Sequence, residues 1–86
     1  MIQPILKVFL FTQPGCANCE VMKIFLEAKG IAFEERDMSS DPSARVELLE
    51  TYHSCIAPTL VILTLKGAEV IDGFDPDRLD QVLSAA

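Results

Sequence analysis

From Ile5 to Thr12 the chain is mostly apolar, with branched and aromatic side chains. That pattern predicts a strand buried on both faces. Pro14-Gly15 ends it, and from about Ala17 to Lys29 the spacing turns helical. There Glu20, Lys23 and Glu27 form one polar stripe, and Val21, Ile24, Phe25 and Ala28 are expected to face the core. Gly30 is placed to cap this helix. Ile31–Asp37 alternates in part and predicts a second, shorter strand. Asp41-Pro42 is a helix start signal, an acceptor at the N-cap followed by proline at the first helical position. The helix it opens runs to about Tyr52, with Arg45, Leu48, Leu49 and Tyr52 along one side. Thr59–Leu65 reads as a strand, Lys66-Gly67-Ala68 as a turn, and Glu69–Ile71 as a short strand. Asp75-Pro76 repeats the start signal, and Leu79, Val82 and Leu83 give the last helix its apolar face.

The expected order is β-α-β-α-β-β-α, an α/β class. The first two strands, joined through a helix, should be parallel with a right-handed connection. The closing hairpin makes the four-stranded sheet mixed. Residues 1–86 leave room for one core and one domain, and no internal repeat or linker interrupts them.

Half of the residues are apolar, enough for a small core without disulfide staples or a structural metal. The longest apolar run, Ala57–Leu65, is broken by Pro58, Thr59 and Thr64, so no membrane span is expected. Met1–Lys7 lacks the marks of a secretory signal, which makes the cytoplasm the expected compartment. There a close cysteine pair tends to be catalytic or metal-binding. A net charge of −6 argues against a nucleic-acid partner, which needs a basic patch. A monomer is expected.

Cys16-Ala17-Asn18-Cys19 falls at a strand-to-helix junction, which puts Cys16 at the helix start. Unpaired N–H groups and the positive end of the helix dipole favour a thiolate there. The thiolate is the attacking species in disulfide exchange. Cys19 follows three positions on, on the same face, close enough to close a disulfide. The pair therefore reads as catalytic, Cys16 attacking and Cys19 resolving. The alternative is a zinc site recruiting His53 and Cys55, the only other Cys or His ligands.

The segment Phe11-Thr12-Gln13-Pro14-Gly15-Cys16-Ala17-Asn18-Cys19 resembles the active-site stretch of glutaredoxins and glutaredoxin-like proteins. Ala57-Pro58-Thr59 is similar to that family's cis-proline segment. Gly73-Phe74-Asp75-Pro76, followed by Leu79, resembles the Gly-Phe-x-Pro signature that opens the last helix in the glutaredoxin-like subgroup. The resemblance spans Phe11 to Leu79, in the family's order, and implies the short form of the thioredoxin fold. It also implies a dithiol–disulfide oxidoreductase that reduces protein or small-molecule disulfides, without a cofactor. Its partners would be a disulfide-containing protein substrate and a reductant, either thioredoxin reductase or glutathione. A carrier of an iron–sulfur cluster or metal on the same cysteines is the alternative function.

The resemblance implies substrate-binding roles for Gln13, Ala57, Pro58, Gly73, Phe74 and Asp75. Ala57 would expose its backbone for strand-like pairing with an extended substrate, and Phe74 would cap the ligand groove. Read without the family, Pro58 is an ordinary trans turn proline. Two departures count against glutathione: Ala17-Asn18 stands where Pro-Tyr is typical, and Gln13 where a lysine often sits. Cys55 reads as a small, partly buried hydrophobe, with a third redox thiol as the alternative. His53 reads as a surface loop residue without a catalytic role. Phe9, Phe25 and Phe33 read as core.

Overall fold

The computed structural model describes residues 5–85. Branched and aromatic residues dominate β1 (Ile5–Thr12) and β3 (Thr59–Thr64), and these two strands pair antiparallel at the centre of the sheet. The short, charged β2 (Glu34–Asp37) lies parallel to β1 at one edge, as expected. Strand β4 (Gly67–Asp72) closes a hairpin with β3 at the other edge, giving the order β2-β1-β3-β4. Side chains alternate across the sheet. Val8, Leu10, Leu60, Ile62 and Ile71 therefore face one layer of helices, α1 (Ala17–Ala28) and α3 (Pro76–Ala85). Phe11 and Val61 face the other layer, α2 (Pro42–Tyr52), through Ala44 and Leu48. Among the described residues no helix is long and apolar enough to cross a membrane.

Three expectations about burial need correction. Strand β1 is buried only from Val8 onward; Ile5, Leu6 and Lys7 are exposed. The register slips between Ile5 and Lys7, so Leu6 is the extra residue of a bulge and turns out of the ladder. Helix α1 meets the sheet through Cys19, Met22 and Leu26, not through Val21, Ile24 and Ala28, which are exposed; Phe25 packs at the rim of the core. The helix is apolar on two sides, and the polar stripe marks a flank instead of the outward face. Lys23 in that stripe leans onto the sheet to pair with Glu35 at 2.9 Å. On α2, Leu48 is buried and Tyr52 half-buried, but Arg45 and Leu49 point to solvent.

Element ends follow local chemistry. Gly30, at φ +70°, takes the left-handed position after α1, and its N–H and that of Ile31 bond back to Glu27 and Leu26. This is a Schellman-type stop, and it consumes Ile31. The second strand accordingly begins at Glu34 and not at Ile31. The β3–β4 turn is Leu65-Lys66, so β4 starts at Gly67, two residues before the expected Glu69. Phe9 and Phe33 pack against the two core clusters as expected.

Candidate active site

The register places three loops at one end of the sheet. Phe11 pairs with Thr59, and Thr59 pairs with Asp72. The chain leaving β1 toward Cys16, the chain entering β3 at Ala57-Pro58, and the chain leaving β4 at Gly73 therefore share that end. The Gly73 N–H donates to the Pro58 carbonyl at 2.7 Å, which ties the second loop to the third. All three segments singled out in the sequence come together here. The Ala57–Pro58 peptide bond is cis, as the family resemblance implies and the isolated sequence does not.

Cys16 is the N-cap of α1, with extended backbone (φ −94°, ψ 104°). Gly15 before it adopts φ +72°, a left-handed conformation that glycine reaches without strain. That turn swings the chain from the strand into the helix. The Cys16 Sγ accepts the Cys19 N–H at 3.1 Å, taking the place a serine or aspartate oxygen holds in other caps. Cys16 and Cys19 form a disulfide with Cα atoms 5.2 Å apart, within the usual span. Cys19 is wholly buried, whereas Cys16 keeps partial access to solvent.

The loop before β3 is held by its own hydroxyls. Buried Ser54 and Thr59 share a hydrogen bond at 3.1 Å, and the Thr59 hydroxyl also bonds the Ile56 carbonyl at 2.5 Å. Because Ser54 turns inward, Cys55 turns outward; it is free and exposed, a correction to its reading as a partly buried hydrophobe. His53 ends α2 in the left-handed region at φ 56° and is exposed.

Of the remaining candidates, Gln13 and Asp75 are exposed and Gly73 is half-buried. Phe74 packs its ring edge-on to Phe25 at 5.8 Å, as part of the core rim. Asp75 caps α3, its Oδ1 accepting the Arg78 N–H at 3.1 Å. Among the described residues no group of three or more His, Cys, Asp or Glu side chains is placed to hold a metal ion.

Sequence reasoning missed a polar network beside the site. The Thr12 hydroxyl, buried at the end of β1, donates to Glu35 Oε2 at 2.8 Å, and Lys23 binds the same oxygen. Lys23 also reaches Glu20 at 3.3 Å. The Lys23 hydrogen bond chiefly holds the Glu35 carboxyl below its ordinary range, with help from Thr12. Glu35 and then Glu20 raise the Lys23 ammonium. The parallel pairing of β1 with β2 was the signal that could have placed Glu35 near Thr12.

Comparison with known proteins agrees with this geometry. The sequence profile of the glutaredoxin family matches residues 8–64. Gene 56 protein of Mycobacterium phage L5 is 33% identical over 76 residues, covering 88% of this chain and 71% of that protein. The SPbeta prophage-derived thioredoxin-like protein YosR of Bacillus subtilis is 29% identical over 80 residues, covering 91% and 95%. Among solved structures, the thioredoxin-like protein BC3987 superposes with a TM-score of 0.78 at 39% identity, covering 88% of this chain and 99% of that one. A glutaredoxin from Archaeoglobus fulgidus superposes at 0.75 with 17% identity, covering 90% and 85%, a likeness of fold alone. The four-stranded mixed sheet with its three helices is a thioredoxin fold.

Proposed function

The chain belongs to the glutaredoxin family, and from that premise we propose that it reduces disulfides in proteins through Cys16 and Cys19. One observation carries the reading. A partly accessible sulfur caps the N-terminus of α1 while its partner sulfur is buried one turn behind it, within bonding distance. In the reduced protein the helix end favours the Cys16 thiolate. That thiolate attacks one sulfur of a substrate disulfide, forming a mixed disulfide and releasing the other substrate sulfur as a thiolate. Cys19 then gives up its proton and attacks the Cys16 sulfur. The second substrate thiolate leaves, and the Cys16–Cys19 disulfide closes. Two electrons pass to the substrate, and a reductant must restore them.

Ala57 and Gly73 supply the floor on which an extended substrate segment lies, with buried Pro58 shaping the turn beneath it and the Ala57 backbone offering strand-like hydrogen bonds. Gln13, Phe74 and Asp75 complete its rim. The reductant is a thioredoxin reductase in preference to glutathione, and the compartment is one that keeps thiols reduced, the cytoplasm. The reading is tested by coupling the purified protein to thioredoxin reductase and NADPH with insulin as the disulfide substrate. Turnover that depends on both cysteines is expected; turnover unaffected by losing Cys16 overturns it.

A further inference from the structure

Helix α1 carries a second apolar stripe that the core does not use. At about 100° per residue, Cys19, Met22 and Leu26 point one way, and all three are buried. Ala17, Val21, Ile24 and Ala28 recur at i, i+4, i+7 and i+11 and point almost diametrically away from them. All four are exposed, Val21 to 43% and Ile24 to 67%. Apolar residues scattered singly over a surface need no explanation, but these form one row that starts at the residue after Cys16. Glu20 and Glu27 lie along one edge of the row. Lys23 on the same edge has its ammonium held by Glu20 and Glu35 at 3.3 and 2.9 Å. That edge therefore presents net negative charge, in a chain whose net charge is already −6.

We propose that this stripe is the docking surface for the protein that exchanges thiols with Cys16, and that the partner's matching face is an apolar patch bordered by lysine or arginine. The proposal rests on the dithiol–disulfide reading and deepens it. Reach separates protein partners from small ones. Ile24 lies about 12 Å from Cys16 along the helix axis, from a rise of about 1.5 Å per residue. A standard interface covers about 800 Å² per partner, a disc about 16 Å in radius. A protein whose sulfur sits on Cys16 thus reaches Ile24, whereas a small thiol reaches Cys16 without touching it. Desolvating the stripe supplies affinity, and the acidic edge steers a basic rim into place.

The test compares reduction of the oxidised protein by thioredoxin reductase with NADPH and by dithiothreitol. It uses the wild type, the double variant Val21→Ser/Ile24→Ser, and Glu27→Lys. Both substituted positions of the double variant are exposed, and serine is about as good a helix former as isoleucine. The double variant is expected to raise KM for the protein by roughly tenfold in the reductase reaction, about the lower bound for burying one apolar side chain. Its dithiothreitol rate should stay unchanged. Glu27→Lys should also raise KM, with a weaker dependence on salt. An unchanged KM overturns the docking surface, an equal loss with dithiothreitol overturns it in favour of a damaged helix, and a lower KM for Glu27→Lys overturns the basic rim. Should the reductase fail on the wild type, the choice of reductant falls instead. The same variants are then compared as reduced proteins acting on insulin, where an unchanged KM overturns the surface.

Discussion

The backbone N–H of Cys19 donates to the sulfur of Cys16 at 3.1 Å, so the buried cysteine helps hold electron density on the sulfur of the accessible one. The same contact, with the burial of Cys19 and the partial exposure of Cys16, makes their roles unequal. Cys16→Ser should abolish disulfide reduction. Cys19→Ser should still attack and accumulate a mixed disulfide with substrate. Limiting iodoacetamide at mildly acid pH, followed by peptide mapping, should label Cys16 first; preferential labelling of Cys19 reverses the assignment.

The pair Lys23–Glu35 should give stability a recognisable pH dependence. Glu35 titrates below its unfolded value, so its contribution is present above about pH 4.3 and fades as pH falls through the lowered folded value. Lys23 titrates above its unfolded value, so its contribution is present below about pH 10.4 and is lost as pH rises further. Both side chains are partly in solvent, and screening limits the pair to roughly 0.5 kcal/mol. Glu35→Gln should therefore lower Tm at pH 7 by about 2–4 °C for a domain of this size. Thermal melts should show the gap closing as pH falls below the ordinary carboxylate range; a gap independent of pH assigns the effect to packing.

What the sequence made legible, and what it hid, divides along physical lines. Features set by one local segment were readable: the Asp41-Pro42 and Asp75-Pro76 helix starts, the Gly30 stop, and the place of Cys16 at the start of α1. Features set by partners far along the chain were not. The core-facing side of α1 could not be read because Val21 and Ile24 are as apolar as Met22 and Leu26, and only the sheet decides between them. The hydroxyl network of Ser54 and Thr59 and the carboxylate contact of Thr12 each need a fold to bring donor and acceptor together. Family resemblance, not local chemistry, carried the cis bond before Pro58.

Cys55 offers a check on how many thiols take part. It is exposed and free in the structure, and its neighbour Ser54 fixes the loop through Thr59 without it. Cys55→Ala should leave turnover nearly unchanged and alter stability by less than about 0.5 kcal/mol, the usual range for a surface change. Mass mapping after mild oxidation should find a lone Cys16–Cys19 bridge; a bridge from Cys55 to either makes it a third redox thiol.

The choice of reductant follows from the donors at the start of α3. Glutathione carries two carboxylates and one amine, so a site for it needs hydrogen-bond donors or positive charge at two places. A helix N-terminus can serve one of them, but here the Asp75 carboxylate already occupies the Arg78 N–H, and the Leu79 N–H bonds the Asp75 carbonyl. Pro76 has no N–H to offer, which leaves the N–H groups of Phe74 and Asp75 as the donors there. An incoming carboxylate would also meet the negative charges of Asp72 and Asp75, both exposed. The second place, before the cysteines, holds neutral Gln13, a weaker partner for a carboxylate than a cation. A protein reductant meets none of these obstacles, because it needs no carboxylate site. Oxidised protein should therefore be reduced faster by thioredoxin reductase with NADPH than by glutathione. Asp75→Asn combined with Gln13→Lys should raise the glutathione rate several-fold and leave the dithiothreitol rate unchanged. Efficient turnover of the unmodified protein on physiological glutathione, with the reductase inert, would mean that the carboxylates are held by groups other than these.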